Sequence, residues 1–119
     1  MTFYSVPPVA KPRMTRRDKW AARPCVLSYR AFKDHCRLLG VEVPTAGAMV
    51  TFHMPIPASY SQKRRAALDG TPHTKRPDVD NLLKALLDAT MAEDSVVHDI
   101  RARKLWGLMP GIEIKEGGA

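Results

Sequence analysis

The sequence predicts one domain of the mixed α/β (α+β) class, a small mixed β-sheet packed by two to three helices. Segments with apolar residues at helical spacing are interleaved with alternating, β-branched segments, in the order strand, loop, helix, strand, helix, helix, strand, strand. A chain of 119 residues is the length of one domain with a modest core. No repeat or linker-like stretch divides it, so residues 1–119 are read as one unit.

Residues 2–6, with Phe3, Tyr4 and Val6, form the opening strand. Prolines at 7, 8, 12 and 24 argue against a helix through the stretch that follows, which reads as a basic loop to Arg23. Residues 28–39 place Tyr29, Phe32, Cys36 and Leu39 on one helical face, with Ser28 as N-cap and Gly40 just past the end. Residues 48–54 set Val50, Phe52 and Met54 against Met49, Thr51 and His53, a strand stopped by Pro55 and Pro57. Ser61 to Leu68 is a short basic helix closed by Asp69-Gly70, and residues 71–79 are loop. Residues 80–91 form a helix with the apolar stripe Leu82, Leu83, Leu86 and Leu87. Ser95 to Leu105 reads as a strand with Val96, His98, Ile100 and Ala102 on one face and Asp99, Arg101 and Arg103 on the other. Residues 112–115 are the last strand.

The net charge of +7 is unevenly spread: residues 1–77 carry fourteen Lys/Arg against four Asp/Glu, and residues 78–119 carry five against eight. A basic excess of this kind attracts polyanions. No apolar run approaches the ~20 residues of a membrane span, and the N-terminus has Pro7, Pro8 and Lys11 where a signal peptide needs an apolar stretch. Cys25 and Cys36 show no framework spacing and read as reduced thiols. These features fit a cytoplasmic protein. The four histidines lack cysteine partners at zinc spacing, and no Gly-rich phosphate loop is present.

Against this basic background stands the run Arg76-Pro77-Asp78-Val79-Asp80-Asn81-Leu82-Leu83-Lys84, followed by Glu93-Asp94. Asp78 and Asp80 lie at the mouth of a helix, with Lys84 and Asp88 at i+4 and i+8 from Asp80. A strand returning beside the helix would bring Asp94 back to them. Clustered carboxylates favour a hard divalent cation, above all Mg²⁺, which keeps waters and accepts a phosphate oxygen. Bound to such a site, it activates a water and offsets charge on a phosphodiester, with one ion or two about 3.5–4 Å apart. Lys84 is placed to stabilise that charge. The competing reading is structural: Asp at a helix start caps amides, and Asp80, Lys84 and Asp88 form a surface ion-pair stripe.

The run Lys75 to Ala89, together with Glu93-Asp94-Ser95, resembles the RusA-type Holliday junction resolvases of bacteria and their phages. The resemblance extends more weakly to residues 6–13, to Pro55-Ile56-Pro57 and to Pro110-Gly111-Ile112-Glu113-Ile114. It implies a RusA-like fold with a Mg²⁺ site at Asp78, Asp80 and Asp94, where Mn²⁺ is expected to substitute, and a role for Lys84 in cutting. It also implies a homodimer that nicks two opposed strands of a four-way DNA junction in recombination and repair. The DNA-binding surface would be supplied by Lys11, Arg13, Arg16, Arg17, Lys19, Lys63, Arg64, Arg65, Lys75 and Arg76. Many members carry two aspartates where this chain has Glu93-Asp94, and a glutamine where Val96 stands. The expectation is therefore a Mg²⁺-dependent endodeoxyribonuclease of bacterial or phage origin. The alternatives are a less selective flap or branched-DNA nuclease and a non-catalytic basic DNA-binding protein.

Overall fold

The computed structural model describes residues 1–12 and 23–116. Among the described residues the elements in chain order are β1 (Thr2–Tyr4), α1 (Pro24–Leu39), β2 (Ala46–Pro55), α2 (Gln62–Leu68), α3 (Val79–Thr90), β3 (Asp99–Gly107) and β4 (Gly111–Glu116), with a 3-10 turn at Asp94–Val96 before β3. The order matches the predicted one. The strands form one mixed sheet in the order β1-β4-β2-β3. β4 runs antiparallel to both neighbours, and β3 runs parallel to β2, with α2 and α3 in the crossover between them.

β2 is central and long because its sequence suits both flanks. Ala48, Val50, Phe52 and Met54 are buried and join Ile112 and Ile114 of β4 in the core. α1 and α3 supply the opposing layer through Tyr29, Phe32 and Cys36 and through Leu82, Ala85, Leu86 and Ala89. Thr51, on the other face of β2, is 1% exposed and accepts a 2.9 Å hydrogen bond from Arg103 Nε of β3, so a buried hydroxyl is satisfied by a cross-strand neighbour. At the β1–β4 junction a Cβ on Gly111 would lie 2.7 Å from the Tyr4 carbonyl and 2.3 Å from the Phe3 ring, so only glycine allows this approach.

Two predicted element starts move by four residues. α1 begins at Pro24 rather than Ser28, since proline is tolerated in a first helical turn where its missing amide is not needed. Ser28 is therefore inside the helix, Val26 joins the buried stripe, and Leu39 stays 42% exposed. Gly40 ends α1 as predicted, at φ 64°, with its amide and that of Val41 donating to Arg37 and Cys36 carbonyls. Ser61 caps α2, accepting from the Arg64 amide at 3.2 Å. β3 begins at Asp99, not Ser95, because the Glu93 side chain accepts from the Ser95 amide and closes a turn that competes with strand pairing. The basic loop expected up to Arg23 lies outside the described residues between 13 and 22.

Tyr29, Phe32 and Trp106 are core residues. Burial pushes the Cys36 thiol up to about 11, while Cys25 is exposed, and both are free. A thiol-reactive dye is expected to modify Cys25 promptly in native protein and Cys36 only in denaturant; rapid native labelling of both would contradict the packing. Leu86→Ala, at a fully buried position, is expected to cost about 2–5 kcal/mol in urea unfolding.

Candidate active site

Ten residues of irregular chain lead from α2 to α3, and their backbone is taken up by the outer edge of β3. The Gly70 amide donates to the Trp106 carbonyl at 2.7 Å, the Trp106 amide to Thr71 at 2.8 Å, and the His73 amide to Lys104 at 3.1 Å. Pro72 bridges Leu105 in antiparallel fashion, and the Leu108 amide donates to Asp69 Oδ1 at 3.0 Å. His73 packs edge-on against Trp106 with ring centroids 4.3 Å apart. Burial, then the nearby Lys104 charge, lowers the His73 pKa, so the ring is neutral at physiological pH.

Beyond His73, Lys104 continues the attachment with its side chain. Its ammonium donates to the Lys75 carbonyl at 2.6 Å and to the Pro77 carbonyl at 2.7 Å. Lys104 was absent from the sequence-derived site. The signal was available: it follows Ile100 and Ala102 at even spacing, so alternation puts it on the inward face of β3, where a lysine needs a partner.

Asp78, directly after Pro77, occupies the N-cap position of α3 with extended backbone, φ −69° and ψ 147°. Its side chain makes no capping hydrogen bond. The structural reading of Asp78 as a cap therefore fails: the carboxylate is exposed and is not used by the helix. Asp80 lies in the first helical turn, 3.9 Å from the Lys84 ammonium, with side chains 67% and 62% exposed, a loose solvated pair. Arg76, Pro77, Asp78 and Asn81 line a cleft of about 410 Å³ beside it. The free amides and dipole of the α3 N-terminus make this end electropositive.

Asp88 does not continue the Asp80–Lys84 stripe. Each step of four residues turns a helix by about 40°, and by Asp88 the face has rotated onto α1. There Asp88 Oδ2 accepts from the Tyr29 hydroxyl at 2.8 Å and pairs with Lys11 Nζ at 2.5 Å. The Lys11 amide also donates to the Asn81 carbonyl at 3.2 Å, so the chain before residue 13 is held along α3. Burial pushes the Asp88 carboxyl up, but hydrogen bonds from Lys11 and Tyr29 and the charges of Lys11 and Lys33 outweigh it, leaving the pKa below its ordinary value.

Asp94 sits exposed in the 3-10 turn beyond the far end of α3. The strand after α3 starts only at Asp99, so Asp94 lies in a turn before it and not on the strand that the sequence predicted would return it to the pair. Among the described residues no three His, Cys, Asp or Glu side chains gather closely enough to hold a metal ion. The pair itself suits a hydrated hard cation: two exposed carboxylates, with water and substrate phosphate completing the shell, is an ordinary Mg²⁺ arrangement.

Of the predicted DNA-binding residues, Lys75 and Arg76 are exposed immediately before Asp78, and Lys63 and Arg64 are exposed on α2, with the Arg64 guanidinium 3.6 Å from the Tyr60 ring centroid. Arg65 is half-buried with its Nε unpartnered, and Lys11 is engaged by Asp88. Arg13, Arg16, Arg17 and Lys19 lie outside the described residues.

The family model described as endodeoxyribonuclease RusA matches residues 6–115 of the 119. That span includes the β3 edge, the loop it holds, the acid pair and Lys84. Neither the curated proteins nor the solved structures yield a match.

Because the Asp88 pKa is lowered on folding, its stabilisation is full above the unfolded value, near 3.9, and fades as pH falls through the folded value. Asp88→Asn is thus expected to lower the urea midpoint at pH 7, with the gap to the parent narrowing below pH 4. A gap independent of pH would contradict the charge assignment.

Proposed function

The chain belongs to the RusA endodeoxyribonuclease family, metal-dependent hydrolases that resolve Holliday junctions, and from that premise we propose that Asp78, Asp80 and Asp94 form a Mg²⁺ site that nicks branched DNA. The observation that carries this reading is the Asp78 side chain, which stands at a helix N-cap without capping it. Family membership gives the enzyme class and the junction as substrate. The metal identity, the residue roles, paired nicking and service in recombination and repair are the proposal, with Mn²⁺ as an effective substitute.

In this reading Asp78 and Asp80 hold the ion from the start of α3, and Asp94 completes the carboxylate set when the 91–98 connection closes on bound DNA. The ion supplies an activated water and neutralises charge on the scissile phosphate. Lys84, exposed one helical turn from Asp80, offsets charge on the phosphate or its leaving oxygen. Lys75 and Arg76, beside the pair, contact the flanking phosphates; Lys63 and Arg64 of α2, and the basic residues Arg13, Arg16, Arg17 and Lys19, serve further phosphates. Such contacts position the backbone and carry little base information. Lys11 serves instead to dock its own segment on Asp88. A four-way junction has two equivalent strands to cut, which a two-fold homodimer with two sites matches.

The test is a labelled four-way junction with Mg²⁺, comparing the parent with Asp78→Asn and Asp80→Asn. Each variant is expected to retain junction binding and to lose more than about a hundredfold in cutting, beyond the ~10–100-fold typical of residues supporting a metal from outside its ligand shell. Cutting by Asp80→Asn at the parent's rate would sink the metal assignment. A parent that binds junctions yet never nicks them would favour a binding role, and equal cutting of flaps and linear duplex would favour a less selective nuclease.

A further inference from the structure

We propose that Lys104 is the positioning residue that sets the divalent-cation affinity of the acid pair; the inference rests on the reading that Asp78 and Asp80 bind the cation. The backbone stitches between the loop and β3 end at His73. From Thr74 to Pro77 no backbone–backbone hydrogen bond holds the chain among the described residues. The restraint on this stretch is the Lys104 ammonium, bound to the carbonyls of Lys75 and Pro77 at 2.6 and 2.7 Å. Pro77 is bonded directly to Asp78, so the second contact fixes the peptide from which the Asp78 side chain departs.

Asp78 depends on that contact more than an ordinary helix-start aspartate would. A capping hydrogen bond would fix its carboxylate relative to α3, and it makes none. Its carbonyl accepts from the Leu82 amide at 3.2 Å, so α3 holds one side of the residue, and the backbone of residues 75–77 holds the other. Asp80, by contrast, is placed by the regular helix. The distance between the two carboxylates therefore varies with the loop, and Lys104 ties the loop to β3, which is anchored along its length to β2.

Two effects of the ammonium oppose each other. Its charge repels a nearby cation, while its hydrogen bonds preorganise a ligand. The charge is partly met by two carbonyl oxygens and acts across solvent-exposed surface, where Coulomb terms are weak. Groups that orient metal ligands are worth about 10–100-fold in affinity. Preorganisation wins.

The experiment is Mn²⁺ binding to the DNA-free protein, read by electron paramagnetic resonance, with junction affinity in metal-free buffer measured alongside. Lys104→Met keeps the apolar stem and removes both hydrogen bonds. It is expected to weaken Mn²⁺ binding about 10–100-fold, to leave metal-free junction affinity near the parent's, and to be largely restored by Lys104→Arg. Should the Met variant fail to fold, Lys104→Gln, which can serve only one carbonyl well, is judged by the same criterion. Mn²⁺ binding as tight as or tighter than the parent's in the Lys104 variant, with Asp78→Asn still abolishing it, overturns the role of Lys104 alone. Undiminished binding in Asp78→Asn overturns the cation reading on which it rests.

Discussion

The free edge of β3 fixes everything that follows it in the argument from fold to chemistry. An edge strand presents amides and carbonyls that need partners, and the chain between α2 and α3 has no regular structure with which to satisfy its own. Each supplies what the other lacks: Trp106 and Lys104 bond to residues 70–73 through the backbone, and the Lys104 side chain reaches on to residues 75 and 77. Because β3 pairs with the central strand β2 over its whole length, the start of α3 is referenced to the core of the domain. Asp78 is delivered at the end of that attachment.

Two aspartates lie in α3 and a third at its N-cap, and their surroundings give them different work. Asp88 is committed to Tyr29 and Lys11, a part-buried cluster that joins α1, α3 and the N-terminal segment. Asp80 has only a loose solvated pair with Lys84. Asp78 has the position of a cap without its hydrogen bond. Identical side chains within eleven residues thus range from a structural ion pair to a carboxylate with no structural use, and the last is the one most readily given to a ligand. Lys11, paired with Asp88, has its charge partly met within the fold.

Much of this was legible in the sequence. The element order, the stripes of β2 and α3 and the Gly40 stop are set by local pattern and chemistry, and these agree with the structure. The acid pair at the mouth of α3 and its Lys84 neighbour were also local, being one helical turn apart. What pattern did not supply was partnership across long sequence separation. Tyr29 with Asp88 spans 59 residues and Lys104 with Lys75 spans 29, and neither leaves a periodic trace. Pro24 misled because proline breaks helix interiors yet suits their first turn. The Glu93–Ser95 turn displaced the start of β3 by a contact that simple alternation ignores. Placing Asp94 required that strand start, so its relation to the pair was the least legible feature of the site.

The most direct measurement is an anomalous difference map from crystals of the protein with a four-way junction and Mn²⁺. The account predicts a peak bridged by the Asp78 and Asp80 carboxylates, with Asp94 drawn in and a DNA phosphate in the same shell. A peak that avoids both residues, with the Asp78 carboxylate turned back onto the amides of α3, would contradict it.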